Sequence, residues 1–417
     1  MKKVLPILLF ITLFATSAFA GGFQLNEHGA RAMAMGGAFT GLANDPSAIF
    51  FNPAGITQLK GTQFYLGSTL IAPLGAYKVP GETKLEYEQK TNVFTPINFY
   101  VTQEITDKFY AGIAVNNPYG LGTTWPSTWV GKYLALDTQL KTFFITPVVA
   151  YQLLDNLSLS VGGTFAWADV KIQRKSPSPV GGDFTLTLEG DGTAFGFAAG
   201  ILYKPLPKLS VGLSYRSEVS FDLEGTATSE PATFKHPQLG DLPFPNGNIT
   251  APLTTPQNAT IGIAYKAADN VVLTADFQYV GWSSYDKLEI TFENYDLDLN
   301  PLNGKQNVSS VERNYENTFI VRAGFEYDVN SAFKLRGGIF YDRNPVKTEY
   351  VEPTLPDADR VGLNIGYGAK LTENLHLDIS YLLLLFSDRK VSNSKFGFNG
   401  TYSNTAHLFG VNLAYSL

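Results

Sequence analysis

From Gly61 to Leu417 the chain is written in period two. Leu209, Val211, Leu213 and Tyr215 alternate with Ser210, Gly212 and Ser214. Further on, Val361, Leu363, Ile365, Tyr367 and Leu371 share one parity, while Gly362, Asn364, Gly366 and Lys370 share the other. The last stretch repeats the pattern with Phe409, Val411, Leu413, Tyr415 and Leu417. Successive side chains of a strand point to opposite faces, so each stretch carries one oily face and one polar or small face. A soluble sandwich buries the oily face as its core, whereas a membrane barrel turns it towards lipid. Helical spans are excluded, because beyond the first twenty residues no run approaches roughly 18 consecutive apolar positions.

The connections choose between sandwich and barrel. Short turns fall at 104–107, 153–156, 204–208, 267–270, 329–332 and 372–374. Longer polar segments lie near 73–92, 117–135, 174–181, 227–248, 293–309, 344–359 and 393–403. Six short turns alternating with seven longer segments imply fourteen strands with both ends on one side. Short periplasmic turns and longer external loops are the outer-membrane arrangement. Tyr100, Tyr151, Tyr203, Tyr265, Tyr327, Tyr367 and Tyr415 each precede a short turn or the terminus. They are expected to form a ring of amphipathic aromatics at one membrane interface. The fold expected is an all-β membrane protein, a fourteen-stranded antiparallel transmembrane β-barrel over 61–417.

The first residues agree with that compartment. Lys2 and Lys3 precede an apolar run from Val4 to Phe14, and Ala18-Phe19-Ala20 offers a small-x-small cleavage site. Residues 1–20 are therefore expected to be a removed secretory signal peptide, with the mature chain starting at Gly21. Charged residues are only 16%, with 39 Gly and 30 Phe, a composition that suits strands whose apolarity is hidden by alternation. With no cysteine, disulfide and thiol chemistry are excluded. A net charge of −6 argues against a nucleic-acid partner.

Residues 21–60 do not alternate and are rich in small side chains, as in Ala30-Arg31-Ala32-Met33-Ala34-Met35-Gly36-Gly37-Ala38. A plug inside the barrel and a periplasmic tail are both open on composition alone. In this segment the chain resembles the long-chain fatty-acid transporter (FadL-type) family, which includes toluene and other hydrocarbon channels. The resemblance begins at Gly22-Phe23-Gln24-Leu25-Asn26-Glu27 and passes through Asn44-Asp45-Pro46. It continues at Phe51-Asn52-Pro53-Ala54-Gly55, similar to the family's Asn-Pro-Ala hatch motif, and at Asn117-Pro118-Tyr119-Gly120-Leu121-Gly122. Gly281-Trp282-Ser283 and Pro356-Asp357-Ala358-Asp359-Arg360 complete it.

The resemblance implies a monomeric barrel in the bacterial outer membrane, plugged by an N-terminal hatch at 21–60. It also implies uptake of a hydrophobic molecule through an outer groove and a deeper pocket, with sideways release at a kinked third strand. Carried over, Gly22, Phe23 and Leu25 border the deeper pocket, and Asn52, Pro53 and Ala54 belong to the hatch. Asn116, Pro118 and Gly120 mark the kink. Two departures stand out: the segment at 174–181 is short where the family has a larger external loop, and the chain ends in Leu417, not an aromatic.

No enzymatic constellation is present. His28, His236, His376 and His407 are scattered, with no metal-ligand spacing, no Gly-x-Ser-x-Gly elbow and no phosphate loop. Ser392-Asn393-Ser394-Lys395 matches Ser-x-x-Lys without its companion motifs and is read as chance. No cofactor and no metal are expected. Strand parity points Arg174, Arg216, Asp276, Arg322, Glu326, Lys334, Arg336 and Asp378 inward. Ion pairs tying hatch to wall are one reading, and a cation for a ligand carboxylate is the other, with Arg174 the foremost candidate. Tyr381-Leu382-Leu383-Leu384-Leu385-Phe386 breaks the alternation. Inward Leu382, Leu384 and Phe386 either line a path for oily ligands or pack against an inserted loop.

The function expected is passive uptake of hydrophobic compounds, foremost long-chain fatty acids, by a non-enzymatic outer-membrane channel. The alternatives are an aromatic-hydrocarbon channel, a general porin, or a lipid-modifying enzyme. Expected partners are the hydrophobic ligand, outer-membrane lipids and, during biogenesis, the barrel assembly machinery.

Overall fold

The structure, a computed structural model, describes residues 21–82, 85–238, 240–297 and 305–417. The expected signal peptide at 1–20 lies outside the described residues, as do parts of the expected loops at 73–92, 227–248 and 293–309.

Fourteen antiparallel strands form one closed barrel. The first four are Thr62–Lys78, then Glu86–Glu88 with Ile97–Glu104, then Phe109–Asn116 with Gly120–Thr124, then Asp137–Leu154. The fifth and sixth are Leu157–Pro177 and Asp183–Leu206. The seventh joins Leu209–Arg216 and Val219–Glu230, and the eighth Gly247–Thr255 and Asn258–Ala268. The ninth joins Val271–Val280 and Lys287–Phe292, and the tenth Val308–Glu312 and Thr318–Asp328. Phe333–Asp342, Arg360–Lys370, Leu375–Phe386 with Arg389–Val391, and Gly400–Ser416 complete the ring. The first strand pairs with the fourteenth from Gln63↔Ser416 to Lys78↔Thr401, so the sheet has no free edge. Closure satisfies the backbone in lipid, where no water can.

The alternation resolves as lipid outside. Leu213, Leu363, Ile365, Phe409 and Leu413 are exposed on the outer wall, while Gly362, Asn364 and Asn412 face inward and are buried. Six of the seven expected girdle tyrosines are exposed near the short turns. Tyr100 is not one of them. It is fully buried on the inner face, opposite Tyr65, because Asn98, Tyr100 and Thr102 set the inward phase of the second strand.

All six short turns lie where expected, but several longer segments are partly strand. Pairing runs to Lys78 and resumes at Glu86, and the hairpin of the fifth and sixth strands extends to Pro177↔Asp183. Polar composition there marks water around the rim, which a hydrogen-bonded ladder tolerates as well as lipid. The segment 344–359 also departs from expectation: it folds inward, with Val351 and Asp359 fully buried.

Residues 21–60 precede the barrel and pack against its inward-facing residues. They fold as a helix at Ala30–Ala34, another at Ala48–Phe51 and a 3-10 turn at Pro53–Gln58. Wall side chains hold this backbone: Asp276 Oδ2 accepts from the Phe39 and Thr40 N–H groups, Asn412 Oδ1 from Ala30 N–H, and Asn364 Nδ2 donates to Met33 O. Contact this close needs wall glycines. A Cβ on Gly338 would stand 2.2 Å from Gly36 N.

Candidate functional site

Two adjoining cavities occupy the upper barrel. The larger, about 440 Å³, is lined by Gly22, Leu25, Tyr119, Gly120, Leu384 and Phe386, with Asp357 and Arg360 among its polar groups. The second, about 220 Å³, is lined by Phe23, Arg174, Leu186, Leu223, Ile290 and Phe292, with Arg313 and Glu352. Leu121, Gln139, Leu140 and Leu355 border both, so the two share a wall. The larger falls within the roughly 300–1,000 Å³ of small-molecule pockets, and the smaller lies below that range.

The N-terminal segment builds the floor of the larger cavity by acting as an added strand. Leu25 N–H donates to Pro118 O at 2.9 Å and Gly120 N–H to Phe23 O at 2.9 Å, around the antiparallel bridge Gln24↔Tyr119. The third strand is available because it breaks there. It pairs with the second strand only from Asn98↔Asn116 to Glu104↔Tyr110. Beyond the break, Asn117 donates to Thr142 O and accepts from Ile97 N–H at 2.8 Å, and Gly120–Thr124 forms its ladder with the fourth strand. The wall therefore parts between 93–96 and 118–123. Phe94 lies across the gap, its ring where a Cβ on Gly122 would be, 2.0 Å away. Exposed Leu74, Val93, Ile97 and Phe143 on the lipid face line the same cavity, so it reaches through the wall.

Gly22 is held where only glycine fits. Its φ is +66°, and an added Cβ would meet the Trp282 ring at 2.4 Å. Its N–H donates to Asp357 Oδ2 at 2.6 Å. Burial pushes the Asp357 carboxyl up to about 8 against the pull of Arg360. Arg360 itself is engaged, donating to Asp342 Oδ2 at 2.7 and 2.9 Å.

Of the residues singled out from sequence, Gly22, Leu25, Gly120, Leu384 and Phe386 line the larger cavity, and Phe23 and Arg174 the smaller. Leu382 is fully buried in the aromatic core of the lumen and borders neither. Asn116 and Pro118 border a neighbouring void of about 30 Å³. Asn52 accepts from Ala54 N–H and donates to Thr40 O and to Ile201 O of the sixth strand, pinning the 3-10 turn to the wall. Pro53 and Ala54 lie buried in that turn, away from both cavities.

The inward charges divide sharply. Glu326 takes Arg31 of the N-terminal segment at 2.9 Å and Arg336 at 2.7 Å, Lys334 joins at 3.2 Å, and Arg336 reaches Asp378 at 2.6 Å. Arg313 pairs with Glu352 on the inserted loop. Arg174, half-buried at the groove, makes no ion pair or hydrogen bond with a described residue. Sequence reasoning missed Phe94, Tyr119, Trp282, Asp342 and the Arg313–Glu352 pair. The motifs around Tyr119, Trp282 and Asp357 were visible signals. Phe94 carried none.

Comparison with known proteins adds the lineage. The family described as outer membrane protein transport protein (OMPP1/FadL/TodX) matches residues 11–417. A long-chain fatty acid transport protein of Escherichia coli O6:H1 is 26% identical over 97% of this chain and 96% of its own length. Among solved structures, a Pseudomonas aeruginosa FadL homologue superposes with a TM-score of 0.79 at 22% identity, covering 95% of this chain and all of that one. The Ralstonia pickettii toluene transporter TbuX gives 0.71 at 18%, covering 94% and 100%.

Proposed function

The chain belongs to the OMPP1/FadL/TodX family of outer-membrane transporters of hydrophobic compounds, which are not enzymes, and on that premise we propose that it takes up long-chain fatty acids passively. One observation carries the choice of ligand: the outer groove is apolar, yet holds Arg174 with no described partner. A fatty acid supplies both the chain for the apolar wall and the carboxylate for the cation. An aromatic hydrocarbon leaves that guanidinium desolvated and unpaired, which is costly.

In this reading the ligand enters the groove with its carboxylate at Arg174, then slides past Leu121 and Leu355 into the larger cavity. Residues 21–60 act as the hatch. The ligand there lies against Gly22–Leu25, the segment that completes the broken third strand. Displacing that segment frees the gap beside Phe94, and the ligand leaves sideways into the membrane. No step consumes an energy source in this reading, because the ligand runs down its own gradient by binding and release.

Purified protein in detergent, examined by native mass spectrometry with oleate and with toluene, tests this. Saturable retention of oleate is expected. Toluene retained in the absence of any oleate binding would reject the fatty-acid reading in favour of an aromatic-hydrocarbon channel.

A further inference from the structure

Below the ligand cavities lies a void of about 20 Å³ between the N-terminal segment and the wall. Asn26, Phe50 and Phe51 close it on one side, and Ser214, Arg216, Thr260 and Arg322 on the other. None of its lining residues is acidic. Arg216 lies with its guanidinium carbon 3.9 Å from the Phe50 ring centroid and makes no hydrogen bond or ion pair with a described residue. Arg322 donates to Asn26 Oδ1 at 3.1 Å and has no carboxylate of a described residue within ion-pair distance. Asp276, Asp342 and Glu27 pull on it from beyond ion-pair distance, and Asp276 Oδ2 accepts from two backbone N–H groups.

Two guanidinium groups beside one space repel each other; Arg322 is buried and Arg216 partly so, and taking such a charge out of water costs several kcal/mol unless a counter-charge is present. The space exceeds the roughly 10–15 Å³ that one water needs, so it admits a single small species and no ligand headgroup with its chain. The hydroxyls of Ser214 and Thr260 add donors. We propose that this void is a binding site for a monatomic inorganic anion of the chloride class, held between Arg216 and Arg322. Because Asn26, Phe50 and Phe51 form its other wall, the anion ties the N-terminal segment to the seventh and tenth strands. Its stabilisation grows with free halide by mass action.

Crystals grown in sodium bromide test the site through anomalous scattering. A bromide peak between Arg216 and Arg322 is expected, and its absence overturns the proposal. Thermal unfolding in detergent supplies the second readout, with chloride compared with gluconate, too large for the void, at equal ionic strength. Wild-type protein should melt higher in chloride, with the shift growing as halide is raised. Arg216→Met, which keeps bulk against Phe50, should lose both the peak and the halide dependence. A peak that survives in that variant, or one without halide-dependent melting, means an adventitious ion only and overturns the tie. Should Arg216→Met not fold, the bromide map and halide titration of wild-type protein decide alone.

Discussion

At the scale of the residue, the barrel interior sorts its charges by whether they have partners. Glu326 sits among Arg31, Lys334 and Arg336, and Asp342 takes Arg360, so these charges are committed to one another; removing Asp342 leaves the buried Arg360 without its ion pair. Arg174 has no such commitment, which makes it the cation a ligand can use. Replacing Arg174 with Leu should weaken oleate binding by about 1.5–3 kcal/mol, the range for a hydrogen bond to a charged group. A neutral hydrocarbon of similar length should bind nearly as before. Leu384→Asp sets the contrast. It places a charge on the apolar lining beside Phe386, and both ligands should lose affinity. Fluorescence displacement with the two ligand types reads both variants. Equal oleate affinity in Arg174→Leu would remove the carboxylate anchor from that position.

At the scale of the element, the third strand matters for what it leaves unpaired. Its break at 117–119 exchanges a wall partner for the segment Phe23–Leu25, held by two backbone hydrogen bonds. Gln24 and Tyr119 face each other in a non-hydrogen-bonded antiparallel pair, where Cα atoms stand roughly 4.5 Å apart, within disulfide reach. The native chain has no cysteine, so Gln24→Cys with Tyr119→Cys creates a single defined cross-link. Oxidised, this double variant should still bind oleate but fail to deliver it in a liposome uptake assay, and reductant should restore delivery. Uptake unaffected by the cross-link would mean that release does not depend on the segment leaving the strand.

At the scale of the whole molecule, the closed hydrogen-bonded wall and the N-terminal segment are separable. The ring satisfies its own backbone from first strand to fourteenth, so deleting residues 21–60 should leave a folded barrel. Its lumen would lose the buried backbone now held by Asp276, Asn364 and Asn412. Single-channel conductance in planar bilayers should rise severalfold in the deletion. Unchanged low conductance would show that the inserted 344–359 segment, not the N-terminal segment, closes the pore.

Period two and the rhythm of turns were enough to read the fourteen strands, the lipid-facing parity and the inward direction of Arg174, Asp276, Glu326 and Asp378. These are local properties, because one residue's face follows from its neighbours' and one short turn fixes its own hairpin. The phase of the second strand was legible in Asn98 and Thr102, which share the parity of Tyr100; place before a short turn alone pointed Tyr100 outward, and it packs inward against Tyr65. That 344–359 folds into the lumen was equally hidden: its polarity suits water outside or an ion pair such as Arg313–Glu352 inside. Which inward charges are paired depended on strands far apart in sequence being brought face to face, as Arg31 and Glu326 are across 295 positions. The alternating sequence determined a barrel and its orientation to lipid. Closure around the N-terminal segment decided the cavities, the wall gap beside Phe94 and the unpaired arginines, because each exists only where distant elements meet.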